Sequence, residues 1–66
     1  MSVVNAITPM QMKLYMKHYE YSKIPEGRYL AQMEENKMFI ALIRRKNYCF
    51  IEEFGTYLEA VLWIKE

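Results

Sequence analysis

Residues 38–43 read Met-Phe-Ile-Ala-Leu-Ile, bounded by Lys37 on one side and by Arg44 and Arg45 on the other. Six apolar side chains in succession leave no polar face, so a strand made of them must be covered on both sides. That is a demanding requirement for a chain of 66 residues. A domain this short buries only about 60% of the surface its unfolded form exposes. Small domains commonly gain stability from disulfides, metals or partner subunits. The single Cys49 excludes an intramolecular disulfide, and one Cys with one His does not make a structural zinc site. Tight packing and self-association remain. The composition suits both, with 53% hydrophobic and 15% aromatic residues and six each of Met and Tyr. Met adapts to irregular surfaces, and Tyr is enriched in interfaces.

The net charge of +1 gives no strong electrostatic case for nucleic acid or an anionic membrane as an obligate partner. No apolar run approaches the ~18 residues of a spanning helix. The first residues, Met-Ser-Val-Val-Asn-Ala, lack the charged and apolar regions of a signal peptide. The expectation is a single domain over residues 1–66, in a reducing, cytoplasmic setting without membrane contact.

Residues 1–7 show neither helical nor strand periodicity and read as a short flexible arm. Thr8 is a good N-cap, Pro9 suits the first helical position and Gln11 sits where a capping box closes. Ile7 and Met12 hold the two positions of a hydrophobic staple. The spacing predicts a helix over 9–22. Met12, Tyr15, Met16 and Tyr19 form one apolar stripe, while Met10, Leu14 and Tyr21 gather on roughly the opposite side. A helix with two apolar stripes is expected to touch both its own core and a second body.

Pro25 disfavours helical geometry at Ile24, and Pro25-Glu26-Gly27 reads as a turn. Three strands are predicted at 28–34, 37–44 and 48–54. They flank Glu35 and Asn36, then Arg45, Lys46 and Asn47, gaps of hairpin length whose Asn residues tolerate positive φ. Strands joined this way form an antiparallel meander with 38–43 in the middle. Gly55 ends the last strand, and Thr56 with Glu59 opens a second capping box. The helix predicted at 57–65 is apolar nearly all round, which marks a buried helix. The expected fold is a self-associating α+β domain of order α-β-β-β-α. Two helices on one sheet face would leave the other face of 38–43 bare, a further reason to expect association.

The chain has little catalytic inventory. It contains no Asp, so a Ser-His-Asp triad is impossible. Cys49 on a strand reads as a small apolar filler, and His18, on the flank of the first helix, as a surface or interface residue. Glu52 and Glu53 are adjacent on a strand and point to opposite faces, so they do not act together on one substrate. Glu34 and Glu35 read as solvated turn charges. Neither a metal nor a cofactor is expected. Arg44, Arg45 and Lys46, followed by Tyr48, form the one basic cluster, suited to phosphate contact with Tyr48 as a stacking platform. The commoner fate of such a run is a solvated hairpin tip or the rim of a protein interface.

Gly27-Arg-Tyr-Leu-Ala, the central strand, and the run Phe-Ile-Glu-Glu-Phe-Gly-Thr-Tyr-Leu-Glu-Ala-Val-Leu-Trp-Ile from Phe50 make up a pattern over residues 27–64. It resembles the strand–Glu-Glu-Phe–Thr–Glu-Ala–Trp endings of small uncharacterised proteins from phages and prophages of Gram-positive bacteria. The resemblance implies a viral or mobile-element accessory protein, of a kind that often acts by binding and blocking a host factor, defence systems included, without catalysing anything. This chain departs from the pattern in its longer, Met- and Tyr-rich first helix.

The leading expectation is therefore a non-enzymatic, homo-oligomeric binding protein. Tyr21, Arg44, Arg45, Tyr48 and Trp63 are the candidate partner contacts, because Arg, Tyr and Trp dominate interface hot spots. Met10, Leu14, Leu58 and Leu62 are the candidates for self-association. One alternative is a nucleotide or nucleic-acid binder using Arg44, Arg45, Lys46 and the tyrosines. The other is a structural subunit of a larger assembly.

Overall fold

The two-sided burial demanded by residues 38–43 is met inside one chain, by a helix on each face of the sheet. The structure, a computed structural model, describes residues 3–17 and 23–65. Its elements in chain order are β1 (Val4–Ala6), α1 (Pro9–Lys17), β2 (Gly27–Gln32), β3 (Phe39–Arg44), β4 (Cys49–Phe54) and α2 (Tyr57–Ile64). The result is a small α+β fold: two helices on a four-stranded mixed sheet of order β1-β2-β3-β4.

β2, β3 and β4 make the expected antiparallel meander, in a register that runs from Gln32↔Phe39 to Gly27↔Arg44 and from Phe39↔Phe54 to Arg44↔Cys49. The fourth strand corrects the reading of residues 1–7 as an arm. Val4–Ala6 pairs parallel to β2, with Val4 opposite Arg28 and Ala6 opposite Leu30. The Asn5 side chain donates to the Arg28 carbonyl at 3.1 Å, and the Ile7 amide donates to the Leu30 carbonyl at 3.0 Å. Three residues are too few to show a period of two, and their strand state comes from β2.

Alternation sorts the sheet into two faces. Tyr29, Ala31, Ile40 and Leu42 point to one side and form a buried cluster with Met12 of α1, Ile24 and Met33. Leu30 and Ala41 point to the other side and meet Ala60 and Ile64 of α2. Burying each large aliphatic side chain contributes on the order of 1.5–3 kcal/mol, so both faces of β3 stabilise the fold. The bare sheet face expected from the sequence does not exist. α1 connects two parallel strands and lies on one face, while α2 follows β4 and folds over the opposite one.

Both Thr residues cap as read, although the reciprocal bond of a capping box, from the N-cap backbone N–H to the Gln11 or Glu59 side chain, is not among those formed by the described residues. The Gln11 amide donates to Thr8 Oγ1 at 3.1 Å, and Ile7 packs in the same cluster as Met12. At α2 the Glu59 amide donates to Thr56 Oγ1 at 3.2 Å, and the Thr56 hydroxyl donates to the Glu59 carboxylate at 2.9 Å. Two corrections stand beside these. Met16, assigned to the core stripe, is exposed. Positive φ in the first hairpin falls on Lys37, at 61°, while Asn36 Oδ1 accepts from the Met38 amide at 3.0 Å. The helix predicted to residue 22 is described only to Lys17, so His18, Tyr19, Tyr21 and Ser22 lie outside the described residues.

Candidate functional site

The second hairpin gathers most of the predicted contact residues. The Arg45 amide donates to the Tyr48 carbonyl at 2.8 Å, which leaves Lys46 and Asn47 as a two-residue loop. Arg45, Lys46 and Tyr48 are exposed. Arg44 is not part of this surface. Strand alternation sends its side chain to the α1 side, where it is buried, opposite Cys49 in the β3–β4 register. Burial pushes the Cys49 thiol up and the nearby Arg44 charge partly opposes that rise. The net shift keeps the thiol protonated at neutral pH, in line with its reading as filler.

Tyr48 and Phe50 share a face of β4, and their rings sit 4.8 Å apart at an interplanar angle of 48°. Both rings are exposed, Phe50 at 55%. Its neighbour Ile51 points to the opposite face and is 41% exposed. Neither Phe50 nor Ile51 was singled out from the sequence. The signal was present: the last strand of a meander has a neighbour on one side only, so its apolar residues lack half their cover.

Trp63 is half-buried on α2, its ring 5.7 Å from that of Phe54 within the α2-side core. It therefore anchors the helix as much as it faces outward. Arg45 and Tyr48 lie together on the hairpin tip, Arg44 beneath it and Trp63 on α2, while Tyr21 lies outside the described residues.

The four residues assigned to self-association are all exposed, but on two surfaces. Met10 and Leu14 stand one turn apart on the outside of α1, and Leu58 and Leu62 do the same on α2. The helices cover opposite sheet faces, so the two apolar ridges face away from each other. This corrects the expectation that α2 is buried all round. Only Ala60 and Ile64 are buried, and Leu58 and Leu62 are 66% and 60% exposed.

A shallow cleft of about 330 Å³ lies between the start of α1 and the β2–β3 turn, lined by Thr8, Pro9, Met10, Lys13, Glu34 and Glu35. Lys13 Nζ donates to Glu35 Oε1 across it, and this hydrogen bond holds the Glu35 carboxyl below its usual range. Glu35 is solvated and already paired, so it ties a helix to a turn and is not poised as a proton acceptor or donor at neutral pH. Among the described residues no group of three or more His, Cys, Asp or Glu could hold a metal ion. No described helix is long and apolar enough to cross a membrane. No family model matches the chain, and no curated protein and no solved structure matches it either.

Proposed function

We propose that this chain is a non-enzymatic protein-binding module that inhibits a host or anti-phage defence protein. The observation that carries the binding half is the outer face of α2, where Leu58 and Leu62 stand exposed on a helix, Tyr57–Ile64, whose one charged residue is Glu59. An apolar pair at i, i+4 on a helix is the form that an apolar groove of another protein accepts. Tyr57, also exposed, lies off this ridge, its ring 5.8 Å from that of Phe39 on the sheet. The inhibitory half rests on the resemblance of residues 27–64 to phage and prophage accessory proteins.

The test uses the immobilised chain and a Gram-positive host lysate, with Leu58→Glu/Leu62→Glu as the paired variant and circular dichroism to confirm that it folds. A protein held by the wild type, released by the variant, and slowed in its own activity on titration with the chain is the expected result. Equal capture by both forms, or undisturbed activity of the captured protein, refutes the reading.

A second reading is favoured by one specific observation, the exposed Tyr48–Phe50 ring pair beside Arg45 and Lys46. Aromatic faces next to cations can stack bases and hold phosphates. Thermal unfolding with nucleotides and short oligonucleotides separates the two readings. A ligand at a hundred times its dissociation constant adds about 2.7 kcal/mol, and Tyr48→Ala should abolish that gain if the hairpin is the site.

A further inference from the structure

β4 ends the sheet, and among the described residues no strand pairs with its outer side. The Arg45–Tyr48 hydrogen bond sets the parity of this edge. With Phe50 opposite Ile43, Glu52 opposite Ala41 and Phe54 opposite Phe39, alternation turns the backbone groups of Tyr48, Phe50, Glu52 and Phe54 toward β3. The N–H and C=O groups of Cys49, Ile51 and Glu53 therefore point outward. Edge strands are usually blunted by charged side chains, Lys above all, by Pro, by a bulge or by extreme shortness, and of these β4 carries the charges of Glu52 and Glu53 alone. β4 is six residues long, pairs residue for residue with β3, and contains neither Pro nor Lys. It also exposes Phe50 on one face and Ile51 on the other.

We propose that β4 pairs antiparallel with β4 of a second copy, about a twofold axis through Ile51, joining two four-stranded sheets into one. Residues directly opposite in an antiparallel pair share a face, so the axis must pass through a residue. Centring it on Ile51 engages every outward residue. Ile51 faces its own copy and Cys49 faces Glu53, giving roughly six inter-chain hydrogen bonds. Centring on Phe50 or on Glu52 strands outward groups, and the latter also sets like charges opposite each other.

Charge supports the same geometry. Arg45 and Lys46 lie at the start of β4, while Glu52, Glu53 and Glu59 lie at and beyond its end. Antiparallel pairing brings the basic end of each copy to the acidic end of the other, whereas a parallel pair would align like with like. On the α2 side, Tyr48 of each copy meets Phe54 of the other and Phe50 lies across from Glu52. This surface is distinct from the outer ridge of α2, so the dimer goes beyond the binding reading and stands or falls apart from it.

Sedimentation velocity of the full chain tests the dimer. The wild type should run at twice the 8.0 kDa chain mass. Ile51→Pro removes an outward N–H, a change that edge strands tolerate, and should halve the mass with its circular dichroism unchanged. Leu58→Glu/Leu62→Glu should stay dimeric. The register is tested independently with Ile51→Cys on a Cys49→Ser background. Its two copies sit about 5.5 Å apart between Cα atoms in a hydrogen-bonded pair, inside the roughly 4.4–6.8 Å span of a disulfide. It should cross-link on mild oxidation, while Glu53→Cys on the same background should not. A wild type of single-chain mass at every concentration overturns the proposal. So does a dimer lost with the α2 variant, or equal cross-linking at 51 and 53. If Ile51→Pro fails to fold, the cysteine pair decides.

Discussion

β3 and β4 are paired over six positions, yet Leu42 is fully buried while Ile51, its partner across the ladder, is 41% exposed. The two strands do not differ greatly in apolar content, Phe-Ile-Ala-Leu-Ile-Arg against Cys-Phe-Ile-Glu-Glu-Phe. They differ in place. β3 has a strand on each side, with α1-side residues below it and α2 above. β4 has one strand neighbour and shares α2 with β3. Apolar side chains alone do not make a core; cover from several directions does. The same chemistry on the edge becomes a contact surface.

The contrast is broken most directly by truncating each member of the pair. Leu42→Ala should cost about 2–5 kcal/mol, the range for emptying a fully buried site. Ile51→Ala, at dilutions where single chains prevail, should cost about 1 kcal/mol or less. Urea unfolding midpoints measure both, and equal costs would erase the distinction. A step smaller, Thr56→Ala removes the hydroxyl that caps the helix leaving β4, with an expected loss of about 1 kcal/mol in the same assay.

Tyr29 sharpens the buried side, since it faces Leu42 in the β2–β3 register and its hydroxyl donates to the Pro25 carbonyl at 2.7 Å. Burial first, and Tyr15 beside it second, push the Tyr29 phenol above its ordinary value. Its neutral form is therefore the one the fold favours. That stability is complete below the ordinary phenol range and is lost as pH rises through the folded value. Tyr29→Phe should lower stability at neutral pH by about 1 kcal/mol and flatten the alkaline decline, as followed by thermal unfolding against pH. The smallest effect belongs to Lys13→Ala. It should let Glu35 return toward the ordinary carboxylate range in an NMR titration, with no measurable change in unfolding midpoint, because both partners are solvated.

Much of the meander was legible in the sequence because its signals are local. The six-residue apolar run, the hairpin-length gaps and two Thr caps all act within a few residues of themselves. β1 was not legible, because Val-Asn-Ala becomes a strand only through its parallel partner β2 more than twenty positions away. Missing β1 hid the crossover, and with it the reason α1 and α2 lie on opposite faces. The candidate site was legible in residue type more than in place. Arg45 and Tyr48 emerge at a surface, but Arg44 turns inward by strand parity and Trp63 is half taken up by Phe54. Phe50 and Ile51 stand out only when the order of the strands, which the predicted meander supplies, is weighed together with the residues of β4.

Residue-resolved amide hydrogen exchange across β4, read at rising protein concentration, tests most directly the claim that this edge is a pairing surface. The amides of Phe50, Glu52 and Phe54 bond inward to β3 and should be protected at every concentration. Those of Cys49, Ile51 and Glu53 should gain comparable protection as the chain concentrates. A fixed alternation, in which the odd-numbered amides exchange freely at all concentrations, would contradict the account.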